Sequence, residues 1–245
     1  MRIKTGIMGL DGLMEGGFPP GSCVLVSGKI GTGKSIFAMQ YIVKGITDFG
    51  ESGVFVSLER GKKALYQDFQ RFGWQLQRLE KEGSLQLLGD PLASLSRGGR
   101  DAKKIISNIV KAVEASESKR LVVDGMELLS MLPRDEFTLW VELNNFKERL
   151  REVGCTSVLT SEIREGKEEL SRLGGEEEIA DGIIVLYYEG EGLTRDRALE
   201  IRKMRGTEHS NQLHFFDITD KGIAIKKMPE KPKVPKSGRT SEASL

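Results

Sequence analysis

The segment from residue 28 to residue 35, Gly-Lys-Ile-Gly-Thr-Gly-Lys-Ser, combines the residue types that hold phosphate groups in proteins. Its glycines allow the tight turns that point successive backbone N–H groups inward as an anion-binding nest. Lys34 carries a charge that reaches β- and γ-phosphates, and the Ser35 hydroxyl is a ligand for Mg²⁺. The segment matches the pattern G-x-x-x-x-G-K-[ST] in full, which predicts a nucleotide-binding loop. The residues expected to bind the cofactor are Gly28, Lys29, Ile30, Gly31, Thr32, Gly33, Lys34 and Ser35.

A second candidate residue is Asp124, which ends the apolar run Leu-Val-Val at 121–123. An acid at the carboxyl end of a strand beside a phosphate loop orients Mg²⁺ or one of its water ligands. Asp-Gly is also an ordinary turn sequence, so the signal is weak when it stands alone. Beside a complete phosphate-loop motif, we interpret Asp124 and Ser35 as the two Mg²⁺ ligands.

Glu59 is a third candidate because it directly follows the apolar run 54–58. A carboxylate at the tip of a strand that adjoins the phosphate loop polarises a water molecule in line with the γ-phosphate. A solvated charge at a strand end explains the same position equally well. Spacing alone leaves both interpretations open.

The elements that must hold these residues alternate between strand-like and helix-like patterns. Apolar runs predict strands at 23–27, 54–58, 85–88, 121–123, 157–161 and 183–188. Helical periodicity predicts helices at 100–115 and 135–153, and a further helix follows the phosphate loop at 35–46. This alternation predicts an α/β fold with a mostly parallel sheet covered by helices on both faces. Strands without intervening helices predict a short antiparallel C-terminal extension at 197–205, 212–218 and 222–227.

Composition and charge exclude several classes of protein. The 245 residues include 37 Lys and Arg against 36 Asp and Glu, and this near-balance is unlike the basic body of a protein that binds nucleic-acid backbones. The apolar runs are far shorter than the roughly 18 residues that span a bilayer, so no membrane segment is expected. Asp11 and Glu15 interrupt the start of the chain where a secretory signal needs an apolar stretch. Cys23 and Cys155 form no metal-binding pattern and are expected to be buried thiols in a reducing cytoplasm.

We expect a single domain over residues 1–227 and a disordered basic tail over residues 228–245. The tail contains three prolines, several lysines and almost nothing to bury, which is typical of a disordered terminus. A basic tail also suits contact with nucleic acid, although the composition favours a solvated terminus.

Several motifs together resemble the KaiC-like branch of the RecA-fold P-loop ATPases. The chain opens with Thr-Gly-Ile at 5–7, Gly-Leu-Asp at 9–11 and Gly-Gly-Phe-Pro at 16–19, shortly before the phosphate loop. Ser-Leu-Glu at 57–59 and Phe-Gly-Trp at 72–74 are similar to that family's second-strand glutamate and its later turn. The segment 179–186 resembles the family's sixth core strand, and 203–209, Lys-Met-Arg-Gly-Thr-Glu-His, resembles its K-x-R-G-T-x-H signature. These segments follow the family's order across nearly the whole predicted domain.

The resemblance implies an ATPase that forms a ring, usually a hexamer, with ATP and Mg²⁺ held between neighbouring copies of the chain. Under it, Glu59 is the catalytic glutamate and Lys34 has a catalytic role besides binding. Lys203 and Arg205 would reach across the interface, where a cation supplied in trans stabilises the transferring phosphoryl oxygens. Without the resemblance, both would be interpreted as solvated charges on an edge strand. His209 suits a structural hydrogen bond as well as an interface contact.

Three features depart from the family pattern. Arg60 stands where the family commonly has a second glutamate, which predicts slow hydrolysis. The stretch 174–178, Gly-Gly-Glu-Glu-Glu, lacks the adjacent Ser/Thr pair that is phosphorylated in the family's clock protein. Autokinase activity is therefore not expected, and Ser171 is only a distant candidate for it. The chain also has one such domain where the clock protein has two, so the resemblance does not extend to a clock role.

Three functions are compatible with these observations. The first is a cytoplasmic ATPase whose cycle changes how a ring binds an unidentified protein partner. The second is a RecA- or RadA-like recombinase or helicase-type ATPase, and the third is an ATP-dependent assembly module with negligible turnover. Recombinases place DNA-contacting loops after the fifth predicted strand, but residues 163–178 carry six glutamates against three basic residues, which disfavours nucleic acid. Glu59 disfavours the third function, because a pure binding module needs no carboxylate at the γ-phosphate. We therefore expect the first function.

Overall fold

A nine-stranded sheet organises the residues that the computed structural model describes, namely 1–89, 102–132, 135–163, 176–190 and 195–226. The strands are β1 (Cys23–Gly28), β2 (Gly53–Ser57), β3 (Leu85–Gly89), β4 (Arg120–Asp124), β5 (Thr156–Glu162), β6 (Gly182–Glu189), β7 (Asp196–Met204), β8 (His214–Thr219) and β9 (Gly222–Ile225). Their order across the sheet is β3-β2-β4-β5-β1-β6-β7-β8-β9. The strands from β3 to β6 in that order pair in parallel, and β6 to β9 pair antiparallel. The predicted parallel core and antiparallel extension are confirmed.

Helices cover both faces of this sheet, as predicted. They are α1 (Lys34–Phe49), α2 (Lys62–Phe69), α3 (Leu76–Lys81), α4 (Ala102–Ser116), α5 (Glu136–Glu152) and α6 (Glu176–Ile179). One hydrophobic cluster joins α1, α2 and α3 with apolar residues that precede β1. A second cluster joins the apolar faces of α4 and α5 to the opposite face of the sheet. Short 3₁₀ turns lie at Asp11–Leu13, Gln70–Phe72 and Met126–Met131.

The central strands explain why the sequence shows continuous apolar runs rather than alternation. Every residue of β1, β2 and β4 is buried, because parallel strands at the middle of the sheet are covered on both sides. The pairings Gly28 with Glu162 and Ser57 with Asp124 bring the carboxyl ends of β1, β5, β2 and β4 to one edge of the sheet. The loops that follow these four strands therefore meet at that edge.

Arg120 anchors the opposite end of β4 inside the protein. Its side chain is fully buried, with an ion pair to Glu51, a hydrogen bond of 2.9 Å to the Tyr41 carbonyl oxygen, and the Tyr41 ring 4.5 Å from its guanidinium carbon. Gly45 of α1 leaves the space that this side chain occupies. A Cβ atom at Gly45 would overlap the Nε and Cδ atoms of Arg120.

We expect Gly45→Ala to destabilise the fold by about 1–3 kcal/mol, although the same change normally stabilises a helix interior. The added methyl group must displace a guanidinium that Glu51 and Tyr41 hold in place. Urea unfolding followed by circular dichroism measures the change. Gly12→Ala is the matched control, because a Cβ atom at Gly12 has no neighbour within 4 Å. An unfolding midpoint for Gly45→Ala at or above that of the wild type would contradict the prediction.

Some predictions from the sequence concern residues that the structure does not describe. Ser171, the tail at 228–245 and most of the acidic segment 163–178 lie outside the described residues. The division into one domain and a tail stays a prediction. Among the helices described, none is long and apolar enough to cross a membrane.

Candidate nucleotide-binding site

The predicted phosphate loop connects β1 to α1 and has the geometry of an anion-binding turn. Gly31 and Gly33 adopt φ angles of 80° and 107°, values that favour glycine over residues with a side chain. The Lys34 ammonium donates hydrogen bonds to the carbonyl oxygens of Gly28 at 2.8 Å and Lys29 at 3.0 Å. The Thr32 hydroxyl also donates to the Lys29 carbonyl oxygen, at 2.9 Å. The loop therefore folds around the lysine ammonium, with the amino end of a 16-residue helix directly behind it.

Ser35 and Asp124 lie in contact, as their predicted shared role requires. The Ser35 hydroxyl donates to Asp124 Oδ1 at 3.2 Å, and the Thr160 hydroxyl of β5 donates to the same oxygen at 2.6 Å. Asp124 is 5% exposed, and burial raises the pKa of its carboxyl group, although the hydrogen bonds from Thr160 and Ser35 oppose that shift. The geometry presents two oxygen ligands of the kind that Mg²⁺ prefers.

Glu59 lies at the same edge of the sheet, one residue beyond the end of β2. The neighbouring Leu58 donates its N–H to the Asp124 carbonyl oxygen at 3.0 Å, which fixes the two strand ends together. A Cβ atom at Gly125 would lie 3.8 Å from the Glu59 Cβ atom, so Glu59 is adjacent to the residue that follows Asp124. Its side chain is exposed at the mouth of the site.

Arg60 points away from this edge, towards α2. Its guanidinium forms three hydrogen bonds of 2.9–3.1 Å with the Asp68 carboxylate. The cation that replaces the family's second glutamate is therefore bound to another element rather than placed beside Lys34.

Lys203 and Arg205 lie at the other edge of the sheet, away from the phosphate loop of their own chain. Lys203 pairs with Ile183 near the start of β6, and the start of β6 lies beside Val24 of β1. The backbone from Val24 to Gly28 spans about 13 Å, so neither cation belongs to the site of its own chain. The Lys203 ammonium donates to the Ala180 carbonyl oxygen at 2.7 Å, and burial lowers its pKa.

Arg205 and His209 complete the predicted signature. The Arg205 side chain is 57% exposed and lies 3.6 Å from Asp181 Oδ1. His209 places Nδ1 3.0 Å from the carbonyl oxygen of the adjacent Ser210, which is a local structural contact. Of Lys203, Arg205 and His209, Arg205 is the exposed residue, and the other two are partly buried.

Three charged residues that were not predicted also lie at the phosphate loop. Glu162 ends β5 opposite Gly28, and Glu127 lies in the 3₁₀ turn after Asp124 with 7% of its surface exposed. Arg197 of β7 stacks on the Tyr188 ring at 4.2 Å and reaches the Gly31 carbonyl oxygen at 3.4 Å. Glu162 carries the same signal as Asp124, an acid at the end of a parallel strand. Glu127 and Arg197 carry no comparable signal in the sequence.

These charges set the electrostatics around Lys34. Burial lowers the pKa of the Lys34 ammonium, and four neighbouring carboxylates oppose that shift. In order of decreasing effect, they are Glu127, Glu162, Asp124 and Glu59. Burial also raises the pKa of the Glu127 carboxyl group, opposed by backbone hydrogen bonds and by Lys34.

The site has room for a nucleotide and the donors to hold one. A cleft of about 440 Å³ opens beside the loop, lined by Gly31, Ser35, Arg71, Arg197 and Ile218 among others. No described cluster of three or more acidic, histidine or cysteine residues has metal-binding geometry. Ser35 and Asp124 offer two oxygen ligands in contact with each other, which suits Mg²⁺ because this ion commonly takes other ligands from phosphate and water.

The fold and the site place the protein in the class of RecA-like P-loop ATPases. Its candidate nucleotide-binding loop lies between β1 and α1. A family model described as "ATPase: KaiC" matches residues 3–230. The chain belongs to this KaiC ATPase family.

Relatives and a solved structure agree with that assignment. The circadian clock oscillator protein KaiC of Synechococcus elongatus is 36% identical over 227 residues, which cover 91% of this chain and 44% of that protein. The chain thus spans about half the length of the clock proteins that it matches. UPF0273 protein PF1931 of Pyrococcus furiosus is 35% identical, and the match covers 98% of both chains. The crystal structure of KaiC-like protein PH0186 from Pyrococcus horikoshii superposes with a TM-score of 0.82 at 37% identity, covering 93% of this chain and 99% of the other.

Proposed function

We propose that the chain is a Mg²⁺-dependent ATPase that assembles into a ring, with six copies and with ATP at the interfaces between them. The contact between Ser35 and Asp124, with Lys34 at the base of the same loop, is the observation that carries the proposal. Membership of the KaiC ATPase family supports ATP binding and hydrolysis. Regulation of an unidentified protein partner by this cycle is part of the proposal, as is a cytoplasmic location. Two free, buried cysteines suit a reducing compartment.

The binding step uses groups that already face one another. Backbone N–H groups of residues 31–35 and the amino end of α1 provide the positive pole for the phosphates. Lys34 exchanges its two carbonyl acceptors for phosphate oxygens, which are stronger partners for an ammonium. Ser35 and Asp124 would hold Mg²⁺, which would supply positive charge to offset the charge on the phosphates. Thr160 keeps Asp124 oriented by its hydrogen bond.

The hydrolysis step needs a base and a further positive charge. Glu59, at the end of β2, accepts a proton from the water that attacks the γ-phosphorus. The bond between that phosphorus and the β-phosphate oxygen breaks, and ADP leaves. Arg205 supplies charge to the γ-phosphate bound by the neighbouring copy, because it lies too far from its own loop. Turnover then depends on assembly.

We expect Lys34→Ala to weaken ATP binding by at least about tenfold, because the phosphates lose a charge-assisted hydrogen-bond donor. Titration of a fluorescent ATP analogue measures the affinity. Lys44→Ala is the matched control, since Lys44 lies on the same helix α1 and pairs with Asp48 at the surface. Equal affinity of Lys34→Ala and wild type would rule out the proposed site.

A second candidate function is an assembly module that responds to bound ATP with little hydrolysis. Arg60 favours it, because the position that commonly holds a second glutamate carries a cation bound to Asp68. Sizing with and without Mg-ATP, followed by a hydrolysis measurement on the isolated oligomer, separates the two. Nucleotide-dependent assembly without phosphate release would favour this second function.

A further inference from the structure

Two carboxylates beside Lys34 have no part in the binding and hydrolysis steps described above. These inner carboxylates, Glu127 and Glu162, lie close enough to the lysine ammonium to favour its charged form, against the effect of burial on its pKa. Their positions place negative charge next to a loop whose ligand is itself an anion. Such an arrangement opposes the binding of an anion whose charge is not neutralised, and it can therefore select between ligands of different net charge.

Hydrogen bonds tie the Glu127 carboxylate and the backbone of Glu162 to the base of the phosphate loop. A Glu127 carboxylate oxygen accepts the Glu162 N–H at 3.3 Å. The next residue, Ile163, donates its N–H to the Gly28 carbonyl oxygen at 3.1 Å. The same Gly28 oxygen accepts from the Lys34 ammonium at 2.8 Å. Glu127 is thus linked through β5 to the carbonyl that holds the lysine.

Solvent does little to screen the charge of Glu127, because only 7% of the residue is exposed. Charges at partly buried positions interact several times more strongly than charges in bulk water. A metal-free nucleotide brings several negative charges to this position, whereas Mg²⁺ neutralises two of them. The cations Arg71 and Arg197 are among the residues that line the cleft beside the loop, whereas Glu127 and Glu162 are not.

We propose that the inner carboxylates make the phosphate loop selective for nucleotide in its Mg²⁺ complex. Their charge opposes metal-free nucleotide and is offset when Mg²⁺ enters with the phosphates. This inference rests on the proposed function, because it requires a nucleotide at the loop. It assigns Glu127 and Glu162 to ligand selection and leaves Glu59 as the catalytic carboxylate.

Two substitutions at Glu127 separate charge from structure. Glu127→Gln removes the negative charge but keeps an oxygen that accepts the Glu162 N–H. Glu127→Asp keeps the charge but shortens the side chain by one methylene and so weakens that hydrogen bond. If the charge of Glu127 sets the selectivity for Mg²⁺-bound nucleotide, only Glu127→Gln changes that selectivity. If the hydrogen bond to the Glu162 N–H sets the selectivity, Glu127→Asp changes it as much as Glu127→Gln or more.

The experiment titrates mant-ADP into each variant, once in excess EDTA and once in excess Mg²⁺. We expect Glu127→Gln to tighten binding in EDTA by about tenfold, equivalent to about 1.4 kcal/mol, with a much smaller change in Mg²⁺. The ratio of the two affinities then falls by nearly the same factor. Glu127→Asp and the surface control Glu152→Gln on α5 are expected to keep the wild-type ratio.

A folded Glu127→Gln variant with the wild-type ratio would overturn the inference, as would equal changes in the glutamine and aspartate variants. Thermal melting establishes whether each variant folds. If Glu127→Gln does not fold, Glu162→Gln decides the matter, because it removes the second inner carboxylate and is expected to shift the ratio in the same direction. An unchanged ratio in Glu162→Gln would then reject the inference.

If the proposed function is wrong, the binding results differ from those expected when only the inference is wrong. If the wild type binds mant-ADP in neither condition, the nucleotide site itself is wrong and the inference falls with it. If the wild type binds, Lys34→Ala does not, and Glu127→Gln keeps the ratio, only the inference is wrong.

Discussion

Glu59→Gln is expected to lower ATP turnover by a factor of about one hundred or more, the usual contribution of a positioned general base. The change keeps the size and shape of the side chain but removes its ability to accept a proton from water. ATP affinity should stay near that of the wild type, because Lys34, Ser35 and Asp124 are untouched. Single-turnover phosphate release measures the chemical step, and a nucleotide titration measures the affinity.

Glu152→Gln is the matched control for this prediction, since Glu152 is an exposed residue near the end of α5. It should hydrolyse ATP at the wild-type rate. Wild-type turnover in Glu59→Gln would remove Glu59 from the catalytic role. A loss of ATP affinity that equals the loss of turnover would instead assign Glu59 to binding.

The parallel core was predictable because burial on both faces leaves a plain signal. The strands at 23–27, 157–161 and 183–188 differ from the observed β1, β5 and β6 by one residue at most at either end. The long helices α4 and α5 were predictable for a related reason, since each presents one apolar face to the sheet. Helices α2 and α3 have eight and six residues, too short for a periodic pattern to stand out.

The sequence offered the phosphate loop and Asp124 as candidates because each carries a local pattern. Glu127 has no such pattern, since its place beside Lys34 depends on the 3₁₀ turn that returns the chain towards β5. Arg197 is similar, because its contact with Gly31 joins residues 166 positions apart. Contacts of this kind require the order of strands in the sheet, which periodicity does not supply.

The antiparallel extension explains why Lys203 and Arg205 lie far from their own loop. A strand that pairs antiparallel with β6 ends where β6 begins, at the edge opposite the phosphate loop. The extension also packs β9 against α1, and Ile218 of β8 lines the cleft. One chain thus presents a phosphate loop at one edge and an exposed arginine at the other. Copies joined head to tail would bring these two features together, and such contacts generate either closed rings or open filaments.

Mixing two inactive variants tests whether Arg205 acts on a neighbouring copy. Arg205→Ala alone should lose about a thousandfold in turnover, the lower range for a cation supplied in trans, and Lys34→Ala alone should lose ATP binding. Subunits that carry Lys34→Ala still present Arg205, and subunits that carry Arg205→Ala still bind ATP. In a random equal mixture, about a quarter of the interfaces then contain both intact groups, so about a quarter of wild-type activity should return.

Arg202→Ala is the control for this mixing experiment, because Arg202 is also exposed on β7 but pairs with Glu200 of its own strand. It should keep wild-type turnover within about twofold, as surface ion pairs contribute little. Arg205 is the better candidate than Lys203, since Lys203 is held by two backbone carbonyls whereas Arg205 is 57% exposed and makes only a long ion pair, at 3.6 Å, with Asp181. Recovery that peaks at the equal mixture requires two different subunits at each active site. Failure to recover at every ratio, in oligomers shown by sizing to contain both variants, would place the catalytic cation elsewhere.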